Sequence, residues 1–230
     1  MVLKIVRTVW PVMLTYVAIG APCGMIMGQT GMEPWMVFVL SSTFVTGSGQ
    51  FMICNLWLAG VPAASIVASV AAISSRFALY SASIAPHLRG ASKRQTLAVA
   101  ATLTEEAYGI SLAKLIEGED WGPLESFVLN VILIATWGVT CTMGAIVGAV
   151  VDVPTAIAAF VCTSLFICLL FSQRLSSGNV VAASLAAVSV AICKFLGWTN
   201  IAVPVSVLVG VAAALACDAL AEGRGARDAR

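Results

Sequence analysis

Charge is scarce in this sequence. Only 10% of its 230 residues are Asp, Glu, Lys or Arg, against roughly a quarter in ordinary soluble domains. The net charge is +1, with no basic stripe and no acidic block, so nucleic acid is not an expected partner. Histidine is almost missing, His87 being the only one. The seven cysteines (Cys23, Cys54, Cys141, Cys162, Cys168, Cys193 and Cys217) stand in or beside apolar runs, and none forms a C-x-x-C pair. A zinc site needs clustered thiolate and imidazole ligands. No metal or other cofactor is therefore expected, and the cysteines read as small packing residues. There is no nucleophile–base set, phosphate loop or dinucleotide fingerprint, which argues against an enzyme.

What is abundant is apolar surface, at 60% of residues. No single soluble core of this size uses so much, whereas lipid accepts apolar side chains on every face of a helix. The fold class is all-α, a polytopic helical membrane protein, and residues 1–230 form one transmembrane domain. A spanning helix needs about 20 mostly apolar residues. Eight segments qualify, near 10–28, 34–56, 61–85, 95–115, 126–150, 154–172, 179–197 and 199–217. Helix is the state expected, because an open sheet in lipid leaves backbone groups unpaired. Lys4 and Arg7 before the first run resemble a signal peptide. No small-x-small cleavage site follows, so the run reads as an uncleaved first span.

Gly20, Gly24 and Gly28 line one face of the first segment, and Gly144 and Gly148 one face of the fifth. Such spacing serves close helix packing or a backbone approach to substrate. Gly24, Gly28 and Pro34 recur as Gly144, Gly148 and Pro154, at an offset of 120. Thr43/Thr163 and Ser69-Val70-Ala71/Ser189-Val190-Ala191 keep that offset. The pattern predicts an internal duplication with halves near 8–118 and 126–220, a history common in transporters.

Cytoplasmic loops carry excess Lys and Arg. With eight crossings both termini lie inside, but the Arg89/Lys93/Arg94 cluster falls outside. If the second and sixth segments instead enter and return on one side, every basic cluster falls inside. The acidic loop Glu117-Gly118-Glu119-Asp120 then falls outside, and the two halves become inverted. Eight crossings is the working topology, and six with two returning segments is the alternative.

Polar groups inside apolar segments are candidates for function by default. Gly47-Ser48-Gly49-Gln50-Phe51 reads as a helix break near the middle of its segment. Its dipole ends suit a carboxylate or an ammonium, unless it is a packing kink. Arg76 sits deep in an apolar segment and shares a helix face with Tyr80. It reads either as a clamp for a substrate carboxylate or as an ion pair with a carboxylate of another helix. In Thr104-Glu105-Glu106-Ala107-Tyr108 the adjacent carboxylates differ by about 100° around a helix. One can face a cavity and the other a partner such as Arg76, unless that helix end is wet. Trp137 reads as packing, and Asp152 as a loop residue. The candidate substrate-binding or ion-coupling residues are thus Gly47, Gly49, Gln50, Arg76, Tyr80, Thr104, Glu105, Glu106 and Tyr108.

Gly47-Ser-Gly-Gln50-Phe51, Ile73-Ser-Ser-Arg76…Tyr80-Ser81, Leu103-Thr-Glu-Glu106-Ala-Tyr108 and Trp137…Gly144…Gly148 together resemble the AzlC family. These are the large subunits of branched-chain amino-acid exporters. Against the family patterns G-A-A-Q-F, N-L-R-H and T-D-E, Gln50, Arg76, Thr104 and Glu106 match, and Glu105 replaces Asp. Ser74 stands where Asn is usual, Phe77 where His is usual, and Ala159 where an Asp is usual. The resemblance implies export of valine, leucine, isoleucine and methionine across the bacterial cytoplasmic (inner) membrane, driven by an ion gradient. It also implies a smaller membrane partner subunit of the AzlD type. Two rivals are a carrier or channel for another small solute and a non-transporting assembly subunit.

Overall fold

The computed structural model describes residues 1–88, 90–118, 121–150 and 177–198, with scattered positions between 160 and 217. Every regular element among them is helical. They fall into two compact units. One comprises Met1–Leu58 and Ser74–Cys162, the other Ala59–Ile73 and Thr163–Arg230.

The first unit is organised around two 28-residue helices, α1 (Val2–Gln29) and α8 (Pro123–Val150). Both are long and apolar enough to cross a membrane, as is the stretch Ala63–Leu88. Trp10, Leu14 and Val17 of α1, and Val139, Met143 and Ile146 of α8, point outward, as lipid-facing side chains do. In lipid no hydrophobic force draws two helices together, so close packing must hold them. Glycine supplies it. A Cβ on Gly24 would lie 1.8 Å from the Cys141 carbonyl oxygen, and one on Gly144 2.1 Å from that of Ala21. Gly28 faces Ala145 and Gly148 faces Met25. The packing reading of these glycines thus holds.

The order of these contacts fixes direction. Tyr16 meets Trp137, Gly20 meets Thr140, and Gly24 meets Cys141 and Ala145. The two helices therefore run parallel. Inverted halves, each opening on a spanning helix, would make them antiparallel, so the inversion of the two halves is overturned. Exchanging the helices at the offset of 120 turns Gly24–Cys141 into Gly144–Ala21, and Gly28–Ala145 into Gly148–Met25.

Two segments are broken, the second near where the glycines predict a break and the fourth where none is expected. The second consists of α2 (Pro34–Thr43) and α3 (Gly47–Leu58). The break lies at 44–46, one turn before the glycines expected to make it. Thr46 caps α3 by accepting the Gly49 amide at 3.1 Å. The third segment is nearly continuous, with α4 (Ala63–Ser74), α5 (Arg76–Ile84) and a 3-10 turn (Ala85–Leu88). The fourth consists of α6 (Lys93–Ala101) and α7 (Glu105–Glu117). Thr104 caps α7 through the Ala107 amide, with Glu105 and Glu106 in the first turn, where the helix dipole favours carboxylates.

At about 1.5 Å per residue, neither α6 nor α7 spans a hydrocarbon core of about 30 Å. They form a re-entrant pair. Glu105 reaches Arg76 at the start of α5, and Tyr108 stacks on Tyr80. Leu115 joins the cluster of Ile84, Leu88, Val99 and Leu103. So α7 runs beside α5 in the same direction, while α6 has come back the other way. Ala91 before α6, Leu115 in α7 and Phe127 in α8 pack on that one cluster. The chain enters and leaves at the same end, which also holds the start of α8 and, through the parallel register, the start of α1. Lys4, Arg7, Lys93 and Arg94 thus gather at one end, called the basic end below. Arg89 lies outside the described residues.

In the second unit, α9 (Ser177–Phe195) meets Gly210 through Ala182 and Ala186. Most of the 154–172 segment and much of 199–217 lie outside the described residues. So do Pro154, Ala159, Arg174 and the Arg224/Arg227/Arg230 cluster. The count of eight segments is therefore not established.

Gly24→Ala should destabilise the protein by about 1–3 kcal/mol through overpacking, whereas Gly109→Ala, with nothing within 4 Å of its Cβ position, should be near neutral. Thermal unfolding in detergent measures both. Cysteines placed at Lys93 and Glu117 should label from the same face of the membrane; labelling from opposite faces would refute the re-entrant pair.

Candidate functional site

Three helices of the first unit begin at one place. Ser48 is in the first turn of α3, Arg76 opens α5 and Glu105 opens α7. Arg76 Nη2 donates to Ser48 Oγ at 2.6 Å and to Glu105 Oε1, with which it forms an ion pair. Ser48 Oγ also donates to Glu105 Oε1 at 3.2 Å. Of the two readings of Arg76, the structure shows the pairing with a carboxylate of another helix. The pair is not sealed. The Arg76 and Glu105 side chains keep 29% and 25% exposure, and the buried Nε of Arg76 has no hydrogen-bond partner among the described residues. The guanidinium also lies 5.7 Å from the Phe77 ring centre.

The adjacent carboxylates do separate. Glu106 turns to α1 and accepts from Tyr16 Oη at 2.6 Å, and Tyr16 Oη lies 3.3 Å from Thr104 Oγ1. Tyr80 and Tyr108 form a ring stack with centres 4.5 Å apart, and Tyr108 donates to Ser83 at 3.0 Å. These two tyrosines tie α7 to α5 beside the ion pair.

Gln50 is fully buried, and its amide is spent on the α2–α3 break. Its Oε1 accepts from Trp137 Nε1 at 2.9 Å and from Ser41 at 3.2 Å, while its Nε2 donates to the Phe44 carbonyl. Gly47 lets the backbone come against the Trp137 ring, which a Cβ would meet at 3.0 Å. Gly49 offers its amide to the Thr46 cap. Asn130 treats the other break alike. Wholly buried on α8, it donates to the Val99 carbonyl at 3.1 Å and to Thr102 Oγ1 at 3.0 Å. Seven residues apart on one helix, Asn130 and Trp137 therefore hold the two breaks that frame the site.

Sequence reasoning about binding or coupling misses Tyr16, Trp137 and Asn130, and it gives Ser48 no role of its own within the 47–51 stretch. A lone Asn, Tyr or Trp in an apolar helix is the signal that marks the first three. Among the described residues no group of His, Cys, Asp and Glu has the geometry to hold a metal ion. The site offers one cation and two carboxylates at converging helix starts.

Gln50→Leu should cost about 1–3 kcal/mol, because it strands the buried Trp137 N–H and Phe44 carbonyl. Exposed Gln95→Leu, which loses only the capping box of α6, should cost about 1 kcal/mol or less. Unfolding midpoints of the two variants provide the comparison.

No curated protein and no solved structure matches the chain. The family described as AzlC protein matches residues 11–151. That span runs from the first helix to the end of α8 and includes residues 47–51, Arg76, the 104–106 tip and Trp137. It thus takes in every helix that builds the site and well over half of the sequence, and the chain belongs to the AzlC family, membrane proteins associated with transport.

Proposed function

We propose that this chain is the large subunit of a two-component secondary exporter for valine, leucine, isoleucine and methionine. It works in the bacterial cytoplasmic membrane beside a small AzlD-type subunit. The observation that carries this reading is the half-open Arg76–Glu105 ion pair at the meeting of three helix starts. A neutral amino acid has a zwitterionic head. Inserted between the two side chains, it offers its carboxylate to Arg76 and its ammonium to Glu105. Every charge stays paired, which avoids the penalty of leaving a buried charge alone. The start of α3 adds partial positive charge for the carboxylate. Phe77 and Tyr80, ring to ring at 5.7 Å, offer an apolar surface beside Arg76 for a branched side chain.

Orientation follows from the basic end, which the positive-inside bias assigns to the cytoplasm. The exchange-symmetric register of α1 and α8 supports descent of the two halves from one duplicated unit.

Arg76→Ala and Glu105→Gln should each lower valine efflux on the order of a hundredfold while the protein still accumulates in the membrane. Efflux is measured in cells lacking other exporters. Valinamide and the 2-oxo acid of valine, each missing one charge, should fail to compete. Full efflux by Arg76→Ala would reject the ion-pair site, and counterflow of labelled valine distinguishes a carrier from a channel.

A further inference from the structure

We propose that Tyr16 and Glu106 are positioning residues that latch the α6–α7 pair as a gate on the basic end, through which substrate reaches Arg76. The inference rests on the carrier reading above. The tip of the pair is tied to the other helices at three places. Asn130 pins the end of α6 to α8 with two hydrogen bonds, which a substrate does not contest. Glu105 ties the start of α7 to Arg76 and Ser48. Tyr16 ties Glu106, one residue on, to α1.

A zwitterion inserted between Arg76 and Glu105 breaks their direct contact, so the second tie runs only through the ligand. The Tyr16–Glu106 bond then decides whether α7 stays in place. The covering of α7 is poorly sealed. Ser111, on the same buried stripe as Ala107, has a fully buried hydroxyl without a partner among the described residues, and so does the side-chain carbonyl oxygen of Asn130 on α8. Buried polar atoms are paired in the great majority of cases. Two orphans, one on α7 and one on α8, are what a path wetted in the open state leaves behind when the pair closes. Gly109, with open space at its Cβ position, gives α7 room on its other side.

The test is labelling of Ser111→Cys by a membrane-impermeant maleimide in oriented vesicles carrying the full-length protein. With no other change the cysteine should react slowly. Adding Tyr16→Phe or Glu106→Leu should speed labelling on the order of tenfold, the effect of losing one hydrogen bond to a carboxylate. The gain should appear from the basic face and without valine. Ala107→Cys serves as a second probe should Ser111→Cys fail to fold. Unchanged labelling in both latch variants, or a gain from the opposite face, overturns the gate. So does simultaneous labelling of Cys141, buried in the α1–α8 crossing, because that reports a loosened bundle. Adding valine to the otherwise unchanged protein should also speed labelling. If the latch variants open and valine does nothing, the gate stands and the valine reading falls.

Discussion

Without side chains at Gly24 and Gly144, α1 and α8 approach until each glycine faces the other helix's backbone carbonyl. Lipid does not push helices together, so this contact depends on shape alone. Its parallel register sets Tyr16 beside Trp137 and gathers the starts of both helices at the basic end. Everything that frames the site leans on this pair. Asn130 and Trp137 of α8 hold the two broken segments, and Tyr16 of α1 holds Glu106.

The breaks convert two lipid-buried segments into functional parts. A continuous helix keeps its backbone groups to itself, whereas a helix that starts inside the membrane presents free N–H groups and positive potential. α3 and α7 start beside Arg76, which adds a full charge. Left alone, that much positive potential would be costly in lipid. Glu105 compensates it, which makes the ion pair a resting state that a ligand carrying both charges can replace.

Much of the site is legible in the residues themselves. An arginine and a carboxylate deep in apolar segments are natural partners, and two adjacent glutamates must diverge around α7. The breaks are harder to see because hydropathy averages over a window. The 95–115 run is apolar enough to pass for one span, yet Thr104-Glu105-Glu106 is a helix-start signal in its own right, a capping hydroxyl followed by acidic residues. The glycines of the Gly47–Gln50 stretch suggest a break, but Gly47 serves close packing against Trp137, and the cap at Thr46 makes the break one turn earlier. Basic clusters alone suggest returning segments at the second and sixth positions. Contacts of Glu105, Tyr108 and Leu115 along α5 add a return at the fourth, which the charge pattern does not single out.

Composition alone determined that this chain is helical and belongs in a bilayer, because hydrophobic excess with so few charges has no other stable home. Motif chemistry determined which polar residues had to matter, because lipid penalises each of them. Tertiary structure decided the direction of α8 relative to α1, the return of α7, and the pairing of Arg76 with Glu105 and of Tyr16 with Glu106. Those depend on which surfaces meet. A glycine stripe shows that a helix can be approached closely, and only the packed partner shows by what, in which direction and at which register.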